Sequence, residues 1–410
     1  MKQSLFSFVG LLFLSLSAAH AVEPPRLAVL TDIGGDPDDQ QSLVRLMVYA
    51  NEFQIEAFIA SAAGTRGELR EAVTRPELIR EIINAYGRVL PNLMRHAEGW
   101  PSAKQLLSVV KSGNPLRERE HIGAEHDTEG SRFLIERIDA GTPERPLNIA
   151  IWGGQTDFAQ ALWRVKHERR DAGLAEFVRK FRVYDINDQD GIADWMRVEF
   201  PGMNYLLAKA PPGHDKREGT YRGMYLTGDE VLTSREWIDN NIRSVGPLGA
   251  LYPTKSHTAP NPHGCMKEGD TPSWFFFLPL GGNEPTDPTK PGWGGQYQRA
   301  SDGWWRDLPA KEDLDPRISV SKWRPDFQAD FAKRMSWCLD DVIGEMKNLY
   351  NELPHIASRL SANWRRSNDS ASRQNRCSPR SDVKPPPNAT PRTTTRPTTS
   401  PAWSATSPNN

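Results

Sequence analysis

Short aliphatic runs, each followed by a turn and then by apolar residues at helical spacing, constrain the fold of this chain most strongly. The first run, 26–30, leads into an acidic turn, and a helix is predicted over 42–49. A second run, 55–60, follows so closely that this helix is expected to cross over between two parallel strands.

The same pattern returns in the middle of the chain. A strand is predicted over 147–151, a turn at Gly153-Gly154, a helix over 156–166 and a further strand over 181–186. This alternation predicts an α/β fold with a mostly parallel sheet and helices on both faces. In such sheets, ligands bind at the carboxyl ends of the strands, where the turns of this chain carry polar residues.

The first 21 residues have the features of a secretory signal. Lys2 supplies a positive charge, 5–16 is mostly apolar, and Ala19-His20-Ala21 has the small-residue pattern of a cleavage site. The mature protein is therefore expected to be secreted or periplasmic, and an uncleaved signal anchor is the alternative. No other segment approaches the roughly 20 apolar residues of a membrane-spanning helix, so no membrane partner is expected.

The composition of the rest of the chain predicts a folded domain, a helical extension and a tail. Residues 24–340 are expected to form the α/β domain, with a cap of Gly-, Pro- and Trp-rich loops over 253–305. Residues 341–363 are predicted to form a helical extension, and 364–410, which have little to bury, are predicted to be a disordered tail. The three cysteines can form at most one disulfide, so the domain must be stabilised by its core.

The distribution of charge argues against a nucleic-acid-binding protein. Residues 365–410 carry eight Lys and Arg against two Asp, while the formal net charge of the whole chain is −1. The remainder of the chain is therefore acidic, and no nucleic acid polymer is expected as a partner. The sequence leaves open whether the protein is a homo-oligomer.

The loop after the first strand contains four carboxylates within eight residues, Asp32, Asp36, Asp38 and Asp39. Ca²⁺ takes about six to eight oxygen ligands and tolerates irregular geometry, so a bent acidic loop suits it. Without a cation, carboxylates this close would repel one another. The alternative is a solvated acidic turn that caps the following helix, and the spacing alone does not decide between the two.

The segment Val29 to Gln40 is similar to the amino-terminal signature of nucleoside hydrolases, and 31–45 is still more similar to their secreted relatives described as cellulose-binding and nucleoside hydrolase-like. The resemblance implies a Rossmann-like sheet that holds Ca²⁺ at its carboxyl edge. It further implies that Asp32 is a metal ligand and the general base, that Asp39 is a bidentate metal ligand, and that Asp38 holds sugar hydroxyls.

Two later segments extend the resemblance. Gly153 to Leu162 is similar to the family's turn in which a threonine gives its backbone carbonyl to Ca²⁺, which implies that Thr156 is a metal ligand. Lys267 to Ser273 is similar to the segment that supplies the last metal carboxylate, which implies that Asp270 is that ligand. Three such segments, far apart in the chain, occur together by chance much more rarely than one acidic turn.

The chain departs from the family pattern in the residues around this site. The acidic loop is two residues longer than in nucleoside hydrolases, so Asp36 could take the sugar-binding role given to Asp38. Leu30 stands where those enzymes usually carry a further Asp, and Gly269 stands where a histidine often assists the leaving base. Nucleoside cleavage is therefore implied less strongly than the metal site.

Two further residues are predicted to contact a sugar. Asn187 follows the strand 181–186 and resembles the family's substrate-binding segment, although a turn of Asn, Asp and Gly needs no function. Trp293 lies on a Gly-rich loop, where it could either present its flat face to a sugar ring or pack beneath the loop. The neighbouring apolar run 275–277 predicts a buried strand.

The combined features predict a secreted, Ca²⁺-dependent hydrolase of N- or O-glycosidic bonds in which water attacks the anomeric carbon. The expected partner is a sugar-containing small molecule or a polysaccharide. The rival hypothesis, favoured by Gly269, is a carbohydrate-binding protein of the cellulose-binding type that keeps the metal site and lacks catalysis.

Overall fold

A computed structural model of the protein describes residues 23–63, 72–255, 264–309 and 314–339. Within these residues one sheet is formed by the strands Arg26–Thr31 (β1), Gln54–Ala60 (β2), Val110–Ser112 (β3), Leu147–Ile151 (β4), Phe181–Ile186 (β5), Tyr205–Ala208 (β6), Tyr297–Arg299 (β7) and Trp305–Asp307 (β8). The α-helices are Asp38–Met47 (α1), Pro76–Leu93 (α2), Ala103–Ser108 (α3), Glu129–Asp139 (α4), Gln155–Phe177 (α5), Ala193–Glu199 (α6), Arg235–Ile238 (α7), Gly246–Gly249 (α8), Thr271–Phe275 (α9), Ile318–Ser321 (α10) and Arg324–Ser336 (α11).

The order of the strands creates a switch point in the centre of the sheet. The order is β3-β2-β1-β4-β5-β6-β8-β7, and only β7 and β8 pair in the antiparallel sense. Because the chain runs outward from β1 on one side and from β4 on the other, the loops that follow these two strands diverge. Open α/β sheets bind ligands at such a point. The predicted α/β fold with a mostly parallel sheet is confirmed.

Alternate residues of β1 enter two separate cores. Leu27 and Val29 pack in the core that includes α1, α2, α9 and α11, whereas Ala28 and Leu30 pack in the core that includes α4, α5 and α6. All four residues are fully buried, so β1 reads as a continuous apolar run because both of its faces are covered. The prediction of helices on both faces is therefore confirmed.

Most of the predicted elements are present, and their bounds differ at the helices. The strands predicted over 147–151 and 181–186 have these bounds as β4 and β5. Helix α1 begins earlier than predicted, after Pro37, whose fixed φ suits a helix start. Helix α5 extends beyond its predicted end to Phe177 and contains a kink at Arg170, where φ is 61°.

The prediction of a strand over 275–277 is wrong. Phe275 is the last residue of the short helix α9, and Phe275, Phe276 and Phe277 are all buried. Pro272 lies in the first turn of α9, where its fixed φ favours the helix. A short apolar run suits a buried helix as well as a buried strand, so the sequence pattern could not separate the two.

Three of the predicted segments lie outside the described residues: the signal over 1–21, the helical extension over 341–363 and the tail over 364–410. Among the helices of the described part, none has the length and apolar character needed to cross a bilayer.

Candidate metal centre

The acidic loop turns back over the end of β1. Thr31 is the last residue of β1, and its hydroxyl accepts a hydrogen bond from the Ile33 amide at 3.1 Å and donates one to the Asp39 carboxylate. Asp38 and Asp39 form the start of α1, where the helix dipole favours negative charge. The loop therefore places both carboxylates at the switch point between β1 and β4.

Three carboxylates from two distant segments meet at this point. One oxygen atom each of Asp38, Asp39 and Asp270 lies within 4.8 Å of the other two. Asp39 and Asp270 are almost fully buried, and Asp270 Oδ2 has no hydrogen-bond partner in the described part of the chain. A buried carboxylate oxygen without a partner costs free energy, and Ca²⁺ binds through such oxygens. These residues therefore fit a divalent cation.

Burial and mutual repulsion raise the pKa values of this carboxylate cluster. Burial, followed by the charge of Asp36, raises the pKa of Asp38 to about 7. Burial and the charges of neighbouring carboxylates raise the pKa of Asp39 and of Asp270 well above the ordinary value. Because carboxylates bind metal in the deprotonated form, protons and a cation would compete for the cluster.

Buried polar contacts attach the segment that carries Asp270 to helix α1. Arg45 Nη2 donates to Glu268 Oε1 at 3.0 Å, and both side chains are fully buried. Gln41 Oε1 accepts from the Lys267 amide at 2.7 Å. Because Lys267 and Glu268 lie only three and two residues before Asp270 in the chain, these contacts position the Asp270 carboxylate against the first turn of α1.

Asp36 and Asp38, both predicted to contact sugar, have different surroundings. The Asp36 carboxylate pairs with the Lys267 ammonium group, so the protein neutralises its charge. Asp38 is partly exposed and belongs to the carboxylate cluster. Asp36 is partly exposed as well, so the two residues differ in how their charge is balanced, and the sugar contact of each stays a prediction.

Asp32 contacts Arg117, a residue that the sequence did not reveal. Arg117 Nη2 donates to Asp32 Oδ2 at 2.6 Å and to the Ala62 carbonyl at 2.8 Å, while its Nη1 lies 3.6 Å from Asp190 Oδ1. Burial raises the pKa of Asp32, and the charge of Arg117 opposes this shift. The next residue, Glu118, has φ 84° and ψ 175°, a conformation that is strained for a non-glycine residue. Tertiary contacts must therefore hold this loop in place.

Two glycines allow the turn after β4 to approach the neighbouring strands. A β carbon at Gly153 would lie 2.4 Å from Asp32 Cγ, and one at Gly154 would lie 2.0 Å from the Ser61 hydroxyl. Gly154 also has φ 83°, which favours glycine. The predicted Gly-Gly turn is thus required by the close packing beside Asp32.

Thr156 and Asn187 lie at the same edge of the sheet as Asp32. The amide and the hydroxyl of Thr156, in the first turn of α5, both donate to Asp190 Oδ2 at 2.7 Å. Thr156 is therefore linked to Asp32 through Asp190 and Arg117, and the ligand role of its carbonyl stays a prediction. Asn187 follows β5 with φ 70°, and its side chain is partly exposed.

Trp293 packs beneath its loop, which is one of the two interpretations of its sequence pattern. It is 8% exposed, and its ring centre lies 5.3 Å from that of Phe275 and 6.1 Å from that of Phe327. Its aromatic faces therefore contribute to the core, and the structure does not place Trp293 where a sugar ring could stack on it.

A second group that the sequence did not reveal borders the carboxylate cluster. Arg222 Nη1 donates to the Tyr225 hydroxyl, and the Arg222 guanidinium carbon lies 4.9 Å from the centre of the Tyr221 ring. Burial raises the pKa of both tyrosines, and the charge of Asp270 raises each further. The charge of Asp38 contributes to a raised pKa of Arg222, so these three side chains are near the cluster.

The same tyrosines account for the glycine before Asp270. A β carbon at Gly269 would lie 3.3 Å from Tyr221 Cδ2 and 3.7 Å from Tyr225 Cε1. A larger side chain at position 269 would have to displace these rings. Position 269 therefore has no room for a histidine, and the phenol groups of two tyrosines lie beside it.

A model of the family described as "Cellulose-binding Sde182, nucleoside hydrolase-like domain" matches residues 26–297. The match covers more than half of the chain and includes the acidic loop, the turn after β4 and Asp270. The chain belongs to this family. The resemblance inferred from the sequence is thereby confirmed.

One solved structure similar to this family member is a nucleoside hydrolase-related hypothetical protein from Saccharophagus degradans that is associated with carbohydrate metabolism. The two proteins share 29% sequence identity over 78% of this chain and 72% of that chain, with a TM-score of 0.62. The effector protein XOO4466 is less similar, with 10% identity and a TM-score of 0.41 over 78% of this chain and 95% of that chain. No curated protein matches this family member significantly.

Proposed function

We propose that the protein is a Ca²⁺-dependent hydrolase of N- or O-glycosidic bonds in which water attacks the anomeric carbon of the sugar. The observation that carries the proposal is the cluster of Asp38, Asp39 and Asp270, with oxygens within 4.8 Å of one another at the switch point of the sheet. Membership of a nucleoside hydrolase-like family described as cellulose-binding supports a sugar or polysaccharide as the ligand.

The buried carboxylates of Asp39 and Asp270 would hold the cation, together with Asp38 on the partly exposed side of the cluster. When bound, Ca²⁺ supplies positive charge that attracts sugar hydroxyls and makes nearby water more acidic. The transition state of glycoside hydrolysis is a sugar with oxocarbenium character. Asp38 is accessible to such a sugar, and its negative charge would stabilise the developing positive charge.

Asp32 is the proposed acceptor of the proton that the attacking water loses. It is 4% exposed and borders Gly153, so its carboxylate is held in one place. Arg117 donates to Asp32 Oδ2 at 2.6 Å and orients the carboxylate, whose second oxygen can take the proton. Asn187 is the proposed contact for a sugar hydroxyl, because its side chain is partly exposed at the same edge of the sheet.

A second function, sugar binding without catalysis, is favoured by one observation. The ion pair between Arg117 and Asp32 makes the carboxylate a weaker base than an unpaired carboxylate in the same surroundings. Gly269 adds to this, because it has no side chain that could assist a leaving group. The cation would then serve only to hold sugar hydroxyls.

Calorimetric titration of Ca²⁺ into metal-stripped protein, followed by assays of sugar release from nucleosides and oligosaccharides, separates the two functions. A hydrolase should lose Ca²⁺ binding in Asp39→Ala and lose turnover in Asp32→Ala. The exposed carboxylate of Asp326, on α11, gives a matched control in Asp326→Ala, which should change neither. Binding of oligosaccharides without turnover would support the second function, and no Ca²⁺ binding would refute both.

We further propose that the protein acts outside the cytoplasm, because residues 1–21 have the features of a secretory signal. Amino-terminal sequencing of the protein recovered from the periplasm or the medium should give a mature chain that begins near Val22. Recovery only from the cytoplasm, with the amino terminus intact, would contradict export.

A further inference from the structure

Tyr221 is a buried hydrogen-bond donor without a partner. It is 3% exposed, and its hydroxyl donates no hydrogen bond within the described part of the chain; the neighbouring Arg222 guanidinium is itself a donor and cannot accept the hydroxyl proton. The other seven tyrosines that the structure describes each use their hydroxyl in a hydrogen bond. A buried hydroxyl proton without an acceptor is unfavourable, so its presence beside a polar site indicates a ligand that accepts its hydrogen bond.

Two glycines leave room for the Tyr221 ring. A β carbon at Gly219 would lie 2.7 Å from Tyr221 Cε1, and one at Gly269 would lie 3.3 Å from Tyr221 Cδ2. Gly269 directly precedes Asp270, so the ring packs against the segment that supplies one carboxylate of the cluster. A phenol in this position borders the proposed sugar site.

Arg222 gives this side of the site a positive charge. Its guanidinium carbon lies 4.9 Å from the centre of the Tyr221 ring, and its Nη1 donates to the Tyr225 hydroxyl. Asp32, the proposed proton acceptor, contacts Arg117 from a different loop. Asp32 therefore provides a carboxylate for the attacking water. Tyr221 and Arg222 provide a hydrogen-bond donor and a positive charge, which stabilise a leaving group that gains negative charge.

We infer that Tyr221 donates its hydroxyl proton to the leaving group, and that the substrates are O-glycosides, whose leaving group is an alcohol, rather than nucleosides. The inference rests on the proposed hydrolase function. The bond between the anomeric carbon and the leaving oxygen breaks, its electron pair stays on that oxygen, and the Tyr221 proton completes the alcohol. The water oxygen bonds to the anomeric carbon and its proton passes to Asp32. Solvent then returns a proton from Asp32 to the phenolate, so each cycle consumes one water molecule.

The acidity of a phenol explains the choice of an alcohol. A phenol is a stronger acid than an alcohol, so transfer of its proton to a departing alkoxide is favourable. The anion of a nucleobase is a weaker base than an alkoxide and would gain less from this donor. The positive charge of Arg222 also favours the charge that develops on the leaving oxygen.

The test compares two glycosides of the same sugar with the Ca²⁺-loaded full chain. A methyl glycoside needs a proton on its leaving group, whereas a para-nitrophenyl glycoside releases a stable phenolate without one. Tyr221→Phe should lower kcat/KM about 100-fold for the methyl glycoside and less than about threefold for the para-nitrophenyl glycoside. Ca²⁺ affinity and Tm should not fall, because the Tyr221 hydroxyl donates to no group among the residues that the structure describes.

Tyr86→Phe is the matched control, because the Tyr86 hydroxyl donates to the Pro101 carbonyl at 2.6 Å and is not part of the site. It should lower stability and leave the ratio of the two rates unchanged. Equal losses of Tyr221→Phe on both glycosides, or no loss on the methyl glycoside, would overturn the assignment alone. A wild-type protein that binds Ca²⁺ and cleaves nucleosides but neither glycoside would also overturn this assignment alone. Cleavage of neither glycosides nor nucleosides, with sugars of the pentose and the glucose type, would overturn the hydrolase proposal as well.

Discussion

Arg117 Nη2 lies 2.6 Å from Asp32 Oδ2, and the two residues come from the loops that follow β3 and β1. The guanidinium group also lies near Asp190, which receives two hydrogen bonds from Thr156. One cation therefore connects the carboxylate at the end of β1 with the first turn of α5.

Replacement of Arg117 should destabilise the protein most at high pH. Arg117→Met would leave Asp32 and Asp190 buried without their cation, and removal of one partner of such a pair costs about 3 kcal/mol or more. The loss should be smaller at pH 5 than at pH 8, because burial raises the pKa of both carboxylates and they become neutral more readily at low pH. Urea unfolding of chelator-treated protein at both pH values measures the difference.

Arg132→Met is a suitable control, because the Arg132 side chain is 70% exposed and lies 3.4 Å from its partner Asp127. Its effect on stability should be about 0–1 kcal/mol. A pH-independent loss in Arg117→Met would contradict the role of Arg117 as the counter-charge of two buried carboxylates.

Gly153→Ala should impair the metal site. The new β carbon would lie 2.4 Å from Asp32 Cγ, so either the carboxylate or the turn after β4 must move. We expect at least a roughly tenfold loss of Ca²⁺ affinity, which corresponds to about 1.4 kcal/mol, by calorimetry. Gly213→Ala is the control: its φ is 85° with no atom near the added carbon, so it should cost about 1 kcal/mol of stability and no affinity. Equal Ca²⁺ affinity in Gly153→Ala and wild type would show that Asp32 is remote from the metal.

Arg45→Met should destabilise the protein and weaken Ca²⁺ binding together. Arg45 and Glu268 are fully buried, and Glu268 also accepts hydrogen bonds from Tyr252 at 2.6 Å and Thr271 at 2.9 Å. Loss of one partner of a buried ion pair costs about 3–5 kcal/mol, and here it would free the segment that carries Asp270. Thermal unfolding and Ca²⁺ titration measure the two effects. A stability loss with unchanged Ca²⁺ affinity would mean that Asp270 is positioned without this ion pair.

Asp307 should make the protein less stable as the pH rises. Burial raises its pKa from 3.8 to about 7, although its carboxylate accepts a hydrogen bond from the Thr220 amide at 2.7 Å. Between these two values the folded protein holds a proton that the unfolded chain has released. The contribution of Asp307 to the free energy of unfolding therefore falls through this range, by at most about 4 kcal/mol, and is constant above it.

Asp307→Asn removes this titration and keeps an oxygen acceptor for Thr220. The stability of the variant relative to wild type should thus increase from pH 4 to pH 7, as measured by urea unfolding across that range. Parallel pH profiles for the two proteins would show that Asp307 ionises in the folded state as easily as in the unfolded chain.

Local patterns were enough to predict the strands, the switch from strand to helix and the acidic loop. β4 and β5 have their predicted bounds because a run of apolar residues between turns is a local property of the chain. Family resemblance added Asp270, which the structure brings next to Asp38 and Asp39. The prediction of a strand over 275–277 was wrong because an apolar run this short has no hydrophobic periodicity that distinguishes a helix from a strand.

The residues that surround these carboxylates are brought there by long-range contacts. Arg117 lies 85 positions from Asp32, and Tyr221 and Gly269 are also far apart in the sequence, so neither contact leaves a local signal. Trp293 could have faced a ligand or the core, and its packing against Phe275 and Phe327 decided for the core. Side-chain chemistry and local spacing can be read from the sequence, because they depend on neighbouring residues. Burial, ion pairing and pKa values depend on the segments that folding brings together.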